Sequence, residues 1–270
     1  MTPSADSWAS GKAYEAYVGR WSRPVARQFV DWLPVEPGRR WLDVGCGTSA
    51  LTQVVLAMAD PLEVLGIDPS EAQVEHARHQ IDDPRATFEV GDAIALSAGD
   101  ERFDAVVSGL VLNFVPDAAG ALAEMVRVAA PGGVVAGYVW DYAGDMQLMR
   151  YFWDAAVALD PAARELDEGV RFPLCRPEPL RALFQEAGLT DVEVRPVDIS
   201  TPFRDFDDYW TPFLGGQAPA PGYAMSLPEE GLAALRDRIR STLPIAADGS
   251  IALIARAWAV RGRKGAGPPA

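Results

Sequence analysis

The chain has 270 residues, 49% of them apolar, and 38 acidic residues against 24 Lys and Arg, which gives a formal net charge of -14 at pH 7. This is enough apolar material for a large buried core, and the acidic balance argues against a nucleic-acid partner, because binding to phosphates depends on clustered Lys and Arg. No apolar run approaches the roughly 20 residues that cross a bilayer, and the first residues lack the apolar segment of a signal peptide, so we expect a cytoplasmic protein with no membrane partner.

Short apolar strands alternate with longer helical segments between residues 40 and 140, a pattern typical of a parallel sheet with helices on both faces. The predicted strands are RWLDV (40–44), LEVLGI (62–67), ATFEV (86–90), FDAVVS (103–108) and GVVAGYVW (133–140). The predicted helices cover residues 49–59, 70–81 and 117–130, with Asp117 as an N-cap and Pro-Gly-Gly at 131–133 as a stop signal.

The pattern changes after residue 140, where helical and aromatic segments predominate. We predict a helix in DYAGDMQLMRYFWDAAVALD, a second helix that ends at Gly188 and a third near 228–241. Two further strands are predicted in TDVEVRPVDIS and SIALIARAWAV (250–260). The stretch TPFLGGQAPAPGY is predicted as a linker beside a lid, and residues 263–270 as a flexible tail.

A glycine-rich loop joins the first predicted strand to the next helix. Residues 45–50, GCGTSA, fit the pattern G-x-G-x-x-A, in which backbone N–H groups and the positive end of a helix dipole face a ligand. Asp68 follows the second strand and could accept both hydroxyls of a ribose. Asp43 would repel a dinucleotide pyrophosphate, and its charge instead suits S-adenosylmethionine, which carries an ammonium and a sulfonium. Ser49 would be strained if its position requires a positive φ.

Four motifs in chain order resemble those of the class I, seven-stranded, S-adenosylmethionine-dependent methyltransferases: LDVGCGT (42–48), GIDPS (66–70), GDA (91–93) and LVLNFVPD (110–117). The resemblance implies an α/β fold with a Rossmann-like, mostly parallel sheet over residues 38–262 and an antiparallel last strand. It also implies a helical cap over the carboxyl edge of the sheet, from insertions near 141–176 and 200–245. AYEAYVGRWSRPVARQFVDWL is more loosely similar to the N-terminal helical segment, here residues 1–37, that covers the cofactor in small-molecule methyltransferases of this family.

The same resemblance implies a site for S-adenosylmethionine, with S-adenosylhomocysteine as the product. The residues that would hold the methionine moiety are Asp43, Gly45, Cys46 and Gly47; those on the ribose side are Asp68 and Pro69; those at the adenine are Asp92 and Ala93; and Asn113 would lie near the sulfonium. Tyr14 and Trp21 would either cover the cofactor or anchor the N-terminal helix on the core. Ser49 stands where the family commonly has a third glycine.

The sequence offers few groups that could accept a proton from a substrate. Its two histidines, His76 and His79, lie on the helix after the second strand, on the adenosine half of the sheet, and no further ligands complete a metal site there, so we predict no metal. Asp141 is the first candidate for a catalytic base, followed by Tyr142 and Tyr138, because they lie at or near the end of the fifth strand. The aromatic residues on one helical face further along could be core or line a substrate pocket: Phe206, Tyr209, Trp210 and Phe213.

The predicted function is methyl transfer from S-adenosylmethionine to a small organic molecule, and the sequence does not predict the oligomeric state. One alternative is a methyltransferase-like cyclase or isomerase that keeps the cofactor as a scaffold, since fold does not fix function. A nicotinamide-dependent oxidoreductase is disfavoured by Asp43, and a non-catalytic binding protein is a further alternative. Only methyl transfer would generate S-adenosylhomocysteine.

Overall fold

A seven-stranded sheet forms the centre of the fold. The computed structural model describes residues 19–215 and 218–266. The strands are β1 (Arg40–Val44), β2 (Glu63–Asp68), β3 (Ala86–Val90), β4 (Phe103–Gly109), β5 (Ala129–Trp140), β6 (Thr190–Phe203) and β7 (Ile251–Arg263). Their order in the sheet is β3-β2-β1-β4-β5-β7-β6.

The first five strands are parallel, and the last strand in sequence is inserted in the opposite direction. β1 pairs in parallel with β2 and β4, β2 with β3, and β4 with β5. Backbone bonds join Gly132 to Lys264 and Asp141 to Arg256, so the partner number falls as the chain advances along β5. β7 is therefore antiparallel to β5, as the resemblance implied, and the predicted mixed but mostly parallel sheet is confirmed.

The helices connect these strands and fill the second half of the chain. They are α1 (Arg20–Trp32), α2 (Ala50–Met58), α3 (Glu71–Gln80), α4 (Ala118–Val128), α5 (Gln147–Leu159), α6 (Glu168–Arg171), α7 (Pro177–Glu186), α8 (Phe206–Trp210), α9 (Pro219–Ser226) and α10 (Glu229–Thr242). Short 3-10 helices span Leu112–Phe114, Pro161–Glu165 and Thr211–Gly215. The N-cap predicted for α4 is confirmed, because the Asp117 carboxylate accepts the N–H of Gly120 at 2.8 Å.

Two predictions of element boundaries are wrong. α4 ends at Val128 and Ala129 already begins β5, so Pro131-Gly132-Gly133 lies inside a strand, where Gly132 adopts φ +76° and bonds to Lys264. The predicted linker after residue 210 is instead a 3-10 helix followed by α9. Two prolines, Pro219 and Pro221, stand in the first turn of α9, where a missing N–H costs nothing.

The end of β7 extends into the segment predicted as a tail. The strand runs to Arg263, and the ammonium of Lys264 donates to the carbonyls of Arg127 and Ala129 at 3.2 and 2.9 Å. Residues 267–270 lie outside the described part of the chain. Within the residues that the structure describes, no helix is both long enough and apolar enough to cross a bilayer.

The described chain divides into two compact units. One comprises Ser22–Val139, Arg176–Val197 and the residues from Ala257 onward, and we call it the glycine-loop unit because it contains residues 45–49. The other comprises the residues up to Trp21, Trp140–Cys175 and Asp198–Arg256, and we call it the aromatic unit.

The aromatic unit takes its name from a group of buried rings. Phe213 stacks on Phe152 with centroids 4.5 Å apart, and Tyr209 donates its hydroxyl proton to the Leu148 carbonyl at 2.9 Å. All four aromatic residues of the predicted helical face are buried, at no more than 5% exposure: Phe206, Tyr209, Trp210 and Phe213. Of the two interpretations of that face, core packing is the one that these contacts support.

Candidate cofactor site at the glycine loop

The two glycines of the loop, Gly45 and Gly47, are required for different structural reasons. Gly45 adopts φ +76°, its N–H donates to the Ile67 carbonyl at 2.7 Å, and a Cβ at this position would lie 2.6 Å from Cγ1 of Val111. Gly47 adopts φ +48°, and a Cβ there would meet nothing within 4 Å. Gly45 therefore permits close packing inside the protein, whereas Gly47 exposes its backbone to open space that a ligand can enter.

Ser49 occupies the position where the sequence predicted strain. Its φ of 65° and ψ of 22° are left-handed, and α2 begins immediately after it. The side chain is fully buried and does not cap the helix; its hydroxyl donates to the Thr48 carbonyl at 2.5 Å. The loop therefore keeps the backbone path of a glycine while carrying a serine, at a conformational cost of about 1–2 kcal/mol.

Two acidic side chains lie beside the loop without a cationic partner. Asp43, on β1, is 1% exposed and accepts the Thr52 hydroxyl at 2.7 Å. Asp68, at the end of β2, is 9% exposed and accepts the N–H groups of Gly47 and Ser70 at 3.0 and 2.9 Å. In the described part of the chain, neither carboxylate takes part in an ion pair. Such burial of unpaired acids is expensive unless a cation or a proton compensates.

Burial perturbs the ionisation of both acids. Loss of solvation raises the pKa of Asp43 to about 7, the bond from Thr52 opposes the shift, and the nearby charge of Asp68 adds to it. Loss of solvation also raises the pKa of Asp68, and the bonds from Ser70 and Gly47 oppose that shift. Asp43 therefore holds its proton to a much higher pH than an ordinary aspartate does, and a bound cation would favour its charged form.

Asn113 and Cys46 differ in what they offer to a ligand. Asn113 lies in the 3-10 helix after β4, and its Nδ2 is buried without a hydrogen-bond partner among the described residues. The Cys46 side chain packs into a core cluster with Val74 and Phe88, where burial raises the pKa of its thiol. The Cys46 thiol therefore belongs to the core, and a role of Cys46 at the cofactor stays a prediction that concerns its backbone.

The remaining predicted cofactor residues are exposed or half-buried, belong to the aromatic unit, or fall outside the described residues. Asp92 follows β3, is exposed, and accepts the N–H of Ile94 at 3.1 Å, with Ala93 half-buried beside it. Pro69 is exposed after β2. Trp21 belongs to the aromatic unit, where its ring contacts Phe203. Tyr14 lies outside the described residues.

The three predicted catalytic residues are all buried. Tyr138, in the glycine-loop unit, packs on Phe29 with centroids 4.7 Å apart, and its hydroxyl fills the space where a Cβ of Gly109 would stand. Asp141 and Tyr142 belong to the aromatic unit, where the Tyr142 ring lies 6.0 Å from that of Phe172.

Asp141 has a structural task that the sequence prediction did not include. Its Oδ2 accepts the N–H of Asp145 at 3.0 Å, and its carbonyl accepts those of Gly144 and Met146. Its own N–H donates to the carbonyl of Arg256 at 2.9 Å. Asp141 therefore organises the turn between β5 and α5, which is a common use of an aspartate.

Sequence reasoning missed two partners of the acidic pair. Thr52 lies in the first turn of α2 and donates to Asp43, and Ser70 caps α3 while its N–H binds Asp68. The spacing of nine residues between Asp43 and Thr52 does not predict that hydrogen bond, because the bond depends on the path of the loop between them. In residues 19–215 and 218–266, no cluster of three or more His, Cys, Asp or Glu is arranged to hold a metal ion.

Comparison with known proteins agrees with this geometry. A family model described as a methyltransferase domain matches residues 42–137. The chain is 37% identical over 175 residues to the demethylmenaquinone methyltransferase of Roseiflexus castenholzii, over 59% of this chain and 71% of that protein. It is 33% identical over 175 residues to the 2-methyl-6-phytyl-1,4-hydroquinone methyltransferase of a Synechocystis strain, over 64% of this chain but only 52% of that relative's length.

A solved structure with the same fold is the [4+2]-cyclase SpnF. It is 22% identical, with a TM-score of 0.54, and the match covers 92% of this chain and 82% of that one. At this identity the likeness shows the fold alone. The four motifs, the sheet topology and the relatedness to the demethylmenaquinone enzyme together lead to one conclusion: the chain belongs to the class I methyltransferases, a family whose cofactor is S-adenosylmethionine.

Proposed function

We propose that the protein transfers a methyl group from S-adenosylmethionine to a small organic molecule and releases S-adenosylhomocysteine. The observation that carries the proposal is the buried pair of Asp43 and Asp68 beside open loop backbone, with no cation of the described chain to neutralise it. The net charge of -14 further favours a small substrate over a nucleic acid.

The side chains around the loop fit the proposed cofactor. Asp43 would bind the ammonium, Asp68 the ribose hydroxyls and Asp92 the adenine amine. The orphaned Nδ2 of Asn113 is a buried donor that still needs an acceptor, and the amino-acid end of the cofactor offers one. The sulfonium of the bound cofactor supplies an activated methyl group. The contribution of the chain is then to hold the donor and the acceptor molecule in line and to exclude water.

Removal of a proton from the substrate falls, in this proposal, to a carboxylate or phenol near the end of β5. Asp141 stays the first candidate, with Tyr142 and Tyr138 after it. Since Asp141 also caps a turn, Asp141→Asn is the informative variant: an amide oxygen can still accept the N–H of Asp145, but it cannot take a proton. A loss of turnover of about 10²-fold with an unchanged fold would identify Asp141 as the base. Unchanged turnover would show that Asp141 has only a structural role in the turn.

The cofactor is the part of the proposal that can be tested first. Calorimetry should show binding of S-adenosylmethionine and S-adenosylhomocysteine, and Asp68→Ala should weaken it by about 1–3 kcal/mol, because Asp68 orders the N–H of Gly47 besides meeting the ribose. Asp82→Ala, an exposed acid after α3, is the matched control and should leave affinity unchanged. Binding of a nicotinamide dinucleotide in place of both adenosyl compounds would refute the proposal.

A cyclase or isomerase that retains the cofactor is the second candidate function. We include it because a [4+2]-cyclase has the same fold and fold does not fix function. The two functions differ in their products. Incubation with S-adenosylmethionine and a candidate substrate yields stoichiometric S-adenosylhomocysteine if a methyl group is transferred. Substrate conversion with an undiminished amount of S-adenosylmethionine would establish the second function instead.

A further inference from the structure

Arg20, at the start of α1, is held in a fixed orientation by two aromatic rings and one carboxylate. Its guanidinium carbon lies 4.5 Å from the ring centroid of Trp21 and 4.6 Å from that of Phe203. Those two rings meet edge to face at 5.8 Å, and Nη1 donates to Asp208 at 3.1 Å. All of these residues belong to the aromatic unit. A guanidinium fixed in this way presents its remaining nitrogens in one direction.

The edge of Arg20 that suits a carboxylate is unused. Nε and Nη2 are both buried, and neither has a hydrogen-bond partner among the described residues. These two nitrogens form the edge that grips a carboxylate through two parallel bonds. Arg256, in the same unit, already pairs this edge with a carboxylate: its Nε and Nη2 donate to the two oxygens of Asp198 at 2.7 and 2.8 Å.

Two further buried polar groups, one on the residue next to Arg20 in sequence and one on a residue close in sequence to a ring that contacts it, also lack partners. The indole Nε1 of Trp21 and the hydroxyl of Thr201 have no hydrogen bond within the described chain, and their residues are 8% and 0% exposed. Thr201 precedes Phe203 by two residues on β6, so both side chains stand on the same buried face, about 7 Å apart. An unsatisfied buried donor costs about 1–3 kcal/mol, so several such donors on residues around one guanidinium favour a ligand.

We propose that Arg20, Trp21 and Thr201 form a binding site for the carboxylate of the acceptor substrate. This inference rests on the proposed function and names the substrate class: an acid whose carboxylate is attached to a planar apolar group. Two guanidinium donors, the indole N–H and the hydroxyl match the roughly four lone-pair directions of a carboxylate. The rings of Trp21 and Phe203, at 4.5 and 4.6 Å from the guanidinium carbon, supply the apolar surroundings.

The acceptor, rather than the cofactor, is the expected source of the carboxylate. In the proposed function, Asp43 and Asn113 already meet the amino-acid end of the cofactor, so we assign the unused edge of Arg20 to a carboxylate of the acceptor. The cofactor also has a carboxylate, however, so an experiment must separate the two sources.

Benzoate is a suitable probe, with benzylamine as its counterpart of opposite charge. Calorimetry on the full chain saturated with S-adenosylhomocysteine should show saturable benzoate binding and no benzylamine binding. Arg20→Gln should raise the Kd for benzoate at least tenfold, and Arg20→Lys should restore it only in part, because an ammonium cannot offer two parallel donors. Arg236→Gln is the matched control: this guanidinium also lies over a ring, that of Phe206 at 5.4 Å, but pairs with Asp207 at 3.5 Å, so the Kd should stay within twofold.

The outcomes separate this inference from the proposed function. Binding of S-adenosylhomocysteine to Arg20→Gln within twofold of the parent shows that the variant is folded and that the cofactor's carboxylate lies elsewhere. If Arg20→Gln weakens S-adenosylhomocysteine but not 5′-methylthioadenosine, which lacks the amino-acid end, the site holds the cofactor and the inference is wrong. Absence of saturable benzoate binding, or equal binding to parent and Arg20→Gln, also overturns it. Failure of the parent to bind either adenosyl compound refutes the proposed function, and the same benzoate titrations of parent and Arg20→Gln without cofactor then decide the carboxylate site by itself.

Discussion

Asp43 shows how burial and charge act together at one residue. It is buried on a central strand with one hydroxyl donor, and its pKa of about 7 lies well above the ordinary value of 3.8. The folded protein therefore holds a proton on Asp43 more tightly than the unfolded chain does. The free energy of unfolding must fall as pH rises from about 4 to about 7, and this contribution is fully lost above pH 7.

Asp43→Asn should remove that dependence. The amide keeps an oxygen for the Thr52 hydroxyl but carries no charge. The free energy of unfolding of the cofactor-free variant, measured relative to that of the parent, should therefore rise by about 2–3 kcal/mol from pH 5 to pH 8. Urea unfolding at several pH values measures the difference, and Asp82→Asn controls for the loss of one exposed carboxyl. A constant difference between parent and Asp43→Asn across this range would contradict the buried-charge account.

Ser49 provides a second test at the level of one residue, since its left-handed backbone is a property of the loop and not of serine. Ser49→Gly should leave the free energy of unfolding within about 1 kcal/mol of the parent, because relief of strain offsets the greater freedom of glycine in the unfolded chain. Ser49→Val should cost about 2 kcal/mol or more, since a β-branched residue tolerates positive φ poorly and the site is fully buried. Equal stability of the two variants in urea would show that the loop adopts another conformation.

At the level of elements, the predictions succeed where one local pattern dominates. β1 and β3 have the predicted bounds, because each is a short run between clear helix and turn signals. The prediction fails at α9, where four residues of Pro-Ala-Pro-Gly indicate a loop but two prolines fall in a first turn. β6 continues beyond the predicted strand to Phe203, and in this extension Thr201 and Phe203 alternate as buried residues with exposed ones.

In the candidate site, too, the features set by chain order were predictable and those set by packing were not. Asp43, Asp68 and the loop glycines could be predicted, because chain order alone places the ends of parallel strands at one edge. The Thr52 bond, the core location of Cys46 and the unused edge of Arg20 could not, since each depends on packing between segments far apart in sequence.

Helices α5 and α6 meet through one buried carboxyl group, which yields a third prediction. The indole N–H of Trp153 donates to Glu168, and burial raises the pKa of Glu168 to about 8, with that bond opposing the shift. The folded pKa lies above the ordinary value of 4.5, so the stability that this proton contributes is progressively lost between about pH 4.5 and pH 8.

The free energy of unfolding of Glu168→Gln, measured relative to that of the parent, should therefore rise by about 2–4 kcal/mol from pH 5 to pH 9. Unlike the gain expected for Asp43→Asn, this one should continue to grow up to pH 8, which distinguishes the two groups in the same urea experiments. Glu165→Gln, an exposed carboxyl three residues earlier, controls for the change in net charge. A gain that stops near pH 5 would mean that Glu168 is solvated in the native protein.

Over the whole molecule, histidine is nearly absent, and this restricts how protons can move near neutral pH. The chain has two histidines, both exposed on α3 in the glycine-loop unit, and Nδ1 of His79 donates to the Glu75 carbonyl at 2.7 Å. The buried acids described above, Asp43 and Glu168, have pKa values of about 7 and 8, in the range usually served by histidine.

The double variant His76→Ala with His79→Ala should accordingly keep its turnover number within about threefold of the parent, because general base catalysis by either histidine would be worth about 10²-fold or more. Steady-state rates with an acceptor found by screening acids, phenols and amines would measure this, with S-adenosylhomocysteine formation as the readout and circular dichroism as the check on folding. The pH dependence of turnover in the double variant should also match that of the parent. A hundredfold loss with the fold intact would mean that α3 takes part in the reaction, and that the base lies on the adenosine side of the sheet instead of near the end of β5.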